Sequence, residues 1–442
     1  MGVHVRSISI AFVSLALVAC GDGTAMPDAD AGPEIPTTLR DGAEVTYAPV
    51  YQAVSYQAGL GGATREWLPK DLAVHPGGEL WVVQQMERDP AFDDESECTS
   101  RGLSGAPNDC VSQQGSTVAI TNPTAAEPAT GENGRANLVV DANAWHFMRR
   151  PSSIAFGAAE TTLNPDDPGA EGAGLTAPIT FTNTFATCHE HWTGNPTDSP
   201  PFIGPTLWTA DPAIYNGENG SFEWSNGSHL DMVHATQYCM GIAHERENVY
   251  WTFNGEEGAL DRYDFGKPHF QGHHDHSDGD VERYYLADGD GLSRLPYVPS
   301  NMVIHGTDLF VADTGNGRVI RFDLSSEAVE MFSFRTFENI DAAGMVGLGY
   351  EVVLDADTLG AEWGGESEPS GLTVMDDGTL VVANHATGHI SLFELDGTLV
   401  RTLDTGFGAG LGGLTALDGA LYFVQMNERL VYRVDVVVPT EM

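Results

Sequence analysis

The sequence predicts an all-β chain: a six-bladed β-propeller of four-stranded antiparallel blades, preceded by a signal peptide and a disordered acidic tether. Three observations carry this. Of the 442 residues, 41% are hydrophobic and 9% aromatic, enough to bury a sizeable core and to exclude global disorder. The 51 glycines and 24 prolines exceed average usage, which favours many turns between short strands over long helices. Third, one unit recurs six times at irregular intervals: an apolar run, a tight turn, a second β-rich run ending in polar residues, and a third run. A single compact core rarely grows past about 300 residues, so radial repetition explains how 45–442 can share one domain.

In chain order, residues 1–20 read as an export signal. Arg6 supplies a positive start, 8–17 is an apolar stretch too short to span a bilayer, and small residues precede Cys20. Residues 21–44, rich in Asp, Pro, Ala and Gly, form a solvated tether. The copies then begin at Leu72, Pro151, Gly241, Met302, Gly371 and Gly413. The last copy stops short of a fourth strand, and the alternation of Val45, Tyr47 and Val50 within 44–55 offers one, latching the ring. With Cys20 set apart, an even number of cysteines remains, which in an oxidising compartment suggests a Cys98–Cys110 and a Cys188–Cys239 disulfide. The alternative for Cys188 and Cys239 is service as thiolate metal ligands.

Two resemblances sharpen this. Leu17-Val18-Ala19-Cys20 resembles the lipobox of bacterial lipoproteins. It implies that Cys20 is lipidated and that the protein sits on the bacterial cell envelope, at the periplasmic or surface face of the outer membrane. The run Asp313-Thr314-Gly315-Asn316-Gly317-Arg318-Val319-Ile320-Arg321-Phe322 resembles the NHL repeat of β-propellers, shared by gluconolactonase-like and amidating-lyase-like families. That likeness implies metal chemistry in the central channel. At the channel mouth, however, this sequence carries Ser152, Cys239, Ser300 and Ser370 rather than a run of histidines or acids.

The fifteen histidines sort by their place in the repeat. His75, His244 and His305 occupy equivalent first turns and read as structural. His189 and His191 follow the run 178–185, read as the second strand of blade 2; His229 and His234 lie on the way into blade 3. His269, His273, His274 and His276 fall between blades 3 and 4, and His385 and His389 follow the second strand of blade 5. These segments are expected on one face around the central mouth. Cys-free imidazole clusters suit zinc or copper, with carboxylates such as Asp278 and Asp280 admitting calcium. The metal candidates are therefore His189, His191, His234, His269, His273, His276 and His385, against the plainer reading of a solvated His-rich loop. Trp192, Trp208 and Trp224 are candidate stacking surfaces near that mouth.

Composition also excludes. Sixty-three acidic against 20 basic residues give a net charge of −43, which repels phosphate backbones; lysine occurs only at Lys70 and Lys267, so no polybasic membrane patch exists. No covalent-haem motif, no phosphate-binding glycine loop before a helix and no Gly-x-Ser-x-Gly elbow is present. The expectation is a monomeric, lipid-anchored propeller touching the membrane only through its anchor. Its His-rich face would bind a divalent metal and, with it, a small molecule, glycan or protein. The alternative is a metal-dependent lyase or hydrolase acting at the channel mouth.

Overall fold

The computed structural model describes residues 45–53, 55–57, 64–86, 115–192, 202–215, 227–287, 289 and 291–436. Cys20, Cys98, Cys110, the signal and tether segments and Trp224 lie outside them.

The second strands show why blades stack. In Leu80–Met86, Leu80 and Val82 face one neighbour while Trp81 and Val83 face the other, because successive side chains point to opposite faces of a strand. Both faces are apolar, so neither can be left to water, and each blade must be sandwiched between two others. The buried side chains accordingly form six clusters, one in each interface between consecutive blades, the last joining blade 6 to blade 1.

Blade 1 comprises Thr64–Val74, Leu80–Met86, Gly115–Ile120 and Ala136–Val139, with Ser55–Gln57 added beside its first strand. Blade 2 comprises Pro151–Phe156, Thr184–His189, Thr206–Thr209 and the short Asp231–Met232. Blade 3 comprises Cys239–Arg246, Val249–Asn254, Ala259–Asp264 and Asp280–Tyr285; blade 4, Met302–His305, Asp308–Asp313, Arg318–Asp323 and Gly349–Leu354. Blade 5 comprises Pro369–Val374, Leu380–Asn384, His389–Phe393 and Leu399–Asp404. Blade 6 comprises Leu411–Leu417, Ala420–Gln425, Leu430–Val436 and, as its outer strand, Val45–Gln52 from the other end of the chain. Antiparallel pairing of Val45 with Val436 through Gln52 with Leu430 makes the expected latch.

The first strands line the axis. Several carry a register shift at the same level: between Pro69 and Asp71, Cys239 and Ile242, Pro369 and Leu372, and Leu411 and Leu414. The bulges bring neighbouring backbones so close that a Cβ at Gly241 would run into the Ser300 carbonyl, which is why glycine stands there.

Three details depart from the sequence reading. The run 178–185 is not one strand: Ile179–Thr182 pairs with Glu160–Leu163 as an inserted hairpin, and Asn183, at φ 49°, breaks the chain before Thr184–His189 begins. The histidine run 269–276 does not join blades 3 and 4 but connects the third and fourth strands of blade 3. Finally, Val329–Arg335 and Asp341–Val346, inserted between the third and fourth strands of blade 4, cross to blade 3. There Asp341–Val346 pairs in parallel with Asp280–Tyr285, so the sheet of blade 3 grows to six strands.

Candidate metal centre

Hydrogen bonding of the 265–279 loop explains its place. It leaves Ala259–Asp264 through Gly266, whose amide donates to Asp264 Oδ1, and is then pinned to the outer part of blade 2. His269 N–H donates to the Leu230 carbonyl at 2.8 Å, Phe270 N–H to Gly169 at 2.8 Å and Gly272 N–H to His229 at 2.9 Å. These bonds satisfy backbone groups of a buried loop and bring two histidines of blade 3 against one of blade 2.

His229, His269 and His276 result as a cluster in which one ring nitrogen from each lies within 4.8 Å of the others. They are 0%, 0% and 8% exposed, which separates them from a solvated loop. His269 Nδ1 donates to the Phe270 carbonyl at 2.7 Å, and its Nε2 is buried with no hydrogen-bond partner among the described residues. His276 Nδ1 lies 2.9 Å from Oδ1 of the fully buried Asp231, which also accepts the Met232 N–H. A ring held through one nitrogen by an oxygen, leaving the other for an ion, is how proteins orient imidazoles for a metal. His229 lies flat on Phe147, ring centroids 3.5 Å apart, and meets His269 edge-on at 4.7 Å.

Burial dominates the electrostatics. It holds His269 well below its ordinary pKa, and holds His276 down to about 4 against the opposing pull of Glu338, Asp275 and Asp278. Burial also pushes the Asp231 carboxyl well above the carboxylate range. Both imidazoles are therefore neutral at neutral pH, with a lone pair to give.

Beside the trio, a cleft of about 540 Å³ is lined by His276, His234, His146, Phe202, Phe337 and Glu338, among others. Glu338 contacts His234 Nδ1 and accepts its backbone N–H. Burial raises the Glu338 carboxyl, but His234 more than reverses this, leaving it at about 2. The rings of His146 and His234 stack on Phe202 at 4.3 and 4.0 Å, and His234 meets His276 edge-on at 6.0 Å.

The other nominated residues fall as follows. His273 lines the same cleft, its ring 5.9 Å from that of His269. His189 ends the second strand of blade 2 and, like His234 and His276, acts electrostatically on His146; burial holds it down to about 3. Its Nε2 is 3.3 Å from both Thr187 and Thr206 hydroxyls. The buried His191 follows it, and its carbonyl accepts the Tyr238 N–H. His385 stands apart, between blades 5 and 6, its Nδ1 2.9 Å from the Leu411 carbonyl. Trp208 is wholly buried in the core between blades 1 and 2, leaving no face for a ligand, whereas Trp192 is 40% exposed.

The trio hangs on the outermost strand of blade 2, whereas the inner strands line the channel, so it lies off the central mouth. That mouth is crossed by the connector into blade 4: Lys70 Nζ donates to the Tyr297 carbonyl at 2.7 Å, and Tyr297 N–H donates to Glu190 at 2.6 Å. The serines of the mouth are structural. Ser152 donates to the Cys239 carbonyl and Ser370 to that of Leu411, stitching blade 2 to blade 3 and blade 5 to blade 6. Cys188 and Cys239 are bonded, Cα atoms 5.2 Å apart, joining blades 2 and 3.

Sequence reasoning placed His229 in the right segment without nominating it, and missed Asp231, His146, Asn143 and Glu338. Asp231, two residues from His229, was the one within reach; Glu338 lies more than a hundred residues away in an inserted hairpin.

Fold and site together define a six-bladed β-propeller with an imidazole cluster able to hold a metal. No protein-family model and no curated protein matches the chain. Among solved structures it is similar to virginiamycin B lyase from Staphylococcus aureus, at 8% identity and TM-score 0.42, covering 89% of this chain and 100% of that one. It is likewise similar to an auxiliary nutrient binding protein from Bacteroides thetaiotaomicron, at 8% identity and TM-score 0.45, covering 89% of this chain and 76% of that one.

Proposed function

We propose that this is an exported, lipid-anchored propeller of the bacterial cell envelope that holds a divalent metal on His229, His269 and His276 and uses it to bind a ligand. The carrying observation is the convergence of three buried imidazoles from two blades within 4.8 Å. All-nitrogen donors suit zinc, copper or nickel and disfavour calcium, which takes oxygen. Three protein ligands leave a fourth position for water or an incoming donor.

That open position favours a second reading, metal-dependent hydrolysis or elimination at the flank of the ring, through a metal-activated water. Both readings share a first test. The purified full-length protein should carry about one zinc or copper per chain. A His269→Ala/His276→Ala variant should lose it and His385→Ala should keep it, as read by elemental analysis. Trace metal in all three proteins defeats both readings.

A further inference from the structure

The cleft beside the trio has a chemistry of its own. His146, Phe202 and His234 lie with their ring planes within 24° of one another, so they make a wall of nearly common orientation. Phe337, 42% exposed, stands at the rim with its centroid 4.5 Å from that of Phe202. Such a wall favours a flat ring lying along it over a globular or flexible body.

Polar groups share the lining. His276 belongs to both trio and cleft. Asn143, another lining residue, is only 7% exposed, and its Oδ1 finds no hydrogen-bond partner among the described residues. It stands at the start of the helix Ala144–Phe147, yet its side chain makes no capping bond there. A buried acceptor left open is costly unless something donates to it. The fixed charge nearby is negative, from Glu338 and Asp275, which disfavours a polyanion.

On the reading that the trio holds a metal, we infer that the cleft takes a flat aromatic ligand bearing an oxygen donor next to an N–H or O–H, as in aryl hydroxamates and catechols. The oxygen fills the open coordination position, releasing its proton to solvent. The adjacent N–H or O–H donates to Asn143 Oδ1, and the ring lies along the His146–Phe202–His234 wall with its edge against Phe337 at the rim. The volume of about 540 Å³ is in the range that encloses a small organic molecule.

The test compares two hydroxamates that differ only in the ring. Full-length protein loaded with cobalt(II) is titrated with benzohydroxamic acid and with acetohydroxamic acid, following the visible cobalt bands. Both should shift the bands, and the aryl compound should bind about tenfold more tightly. Phe337→Ala, at a position 42% exposed, should bring the two affinities to within about threefold. Asn143→Ala should weaken both by about tenfold and leave their ratio intact. Equal affinities in the unaltered protein, or an undiminished preference in Phe337→Ala, overturn the ligand assignment while the metal site stands. Absence of cobalt bands altogether overturns the metal reading and this inference with it.

Discussion

Asp231 illustrates how one residue sets the chemistry of others. Its carboxyl is fully buried with Oδ1 2.9 Å from His276 Nδ1; a cation on the cluster would ionise it, and the carboxylate then holds the Nδ1–H and leaves the other ring nitrogen its lone pair. Replacing Asp231 with Asn preserves shape but permits the other ring tautomer, whose Nε2 carries a proton. We expect Asp231→Asn to bind zinc about 10–100-fold more weakly than the unaltered protein in competition with a chromophoric chelator. Unchanged affinity would mean that the carboxyl only fills space. His269 depends instead on a backbone carbonyl, which no substitution removes, so the two imidazoles differ in how mutation can reach them.

At the scale of elements, strand Val45–Gln52 shows what a terminal segment does for a closed repeat. It covers Leu430–Val436, whose edge would otherwise expose unpaired backbone groups, and Val50 is 2% exposed against Leu80, Val82 and Val424. Val50→Ala should cost about 2 kcal/mol, seen as a lower denaturant midpoint with an unchanged slope. This latch was legible because alternation over a few residues is a local signal. The second strands were legible for the same reason, since Leu80-Trp81-Val82-Val83 shows both apolar faces at once. The inserted hairpins were not legible. Val329–Arg335 is largely solvent-exposed, so no core imposes a period on it, and its parallel partner is set by where the chain happens to cross. The site inherits that limit. The run 269–276 announced itself by composition, whereas His146, Asn143 and Glu338 are single residues brought in by tertiary folding.

For the whole molecule, charge and attachment act together. A net charge of −43 over the chain disfavours contact with anionic headgroups, so on the proposed reading a lipid on Cys20 would make the contact with the membrane. We expect Cys20→Ser to release the protein from the membrane fraction into the soluble one on cell fractionation, with the propeller still folded by circular dichroism. Retention of the variant in membranes would remove the anchor from the account. The same charge lets divalent cations concentrate at the surface before any of them meets the buried imidazoles.

The donors of the metal centre come from two adjacent blades, His229 from blade 2 and His269 and His276 from blade 3. An ion seated there would be a rivet across the seam, fastening the same two blades that the Cys188–Cys239 bond joins. Opening that joint would mean giving up the ion. Filled, this seam would carry a cross-link in addition to its apolar packing, and the ion's binding free energy would oppose its opening.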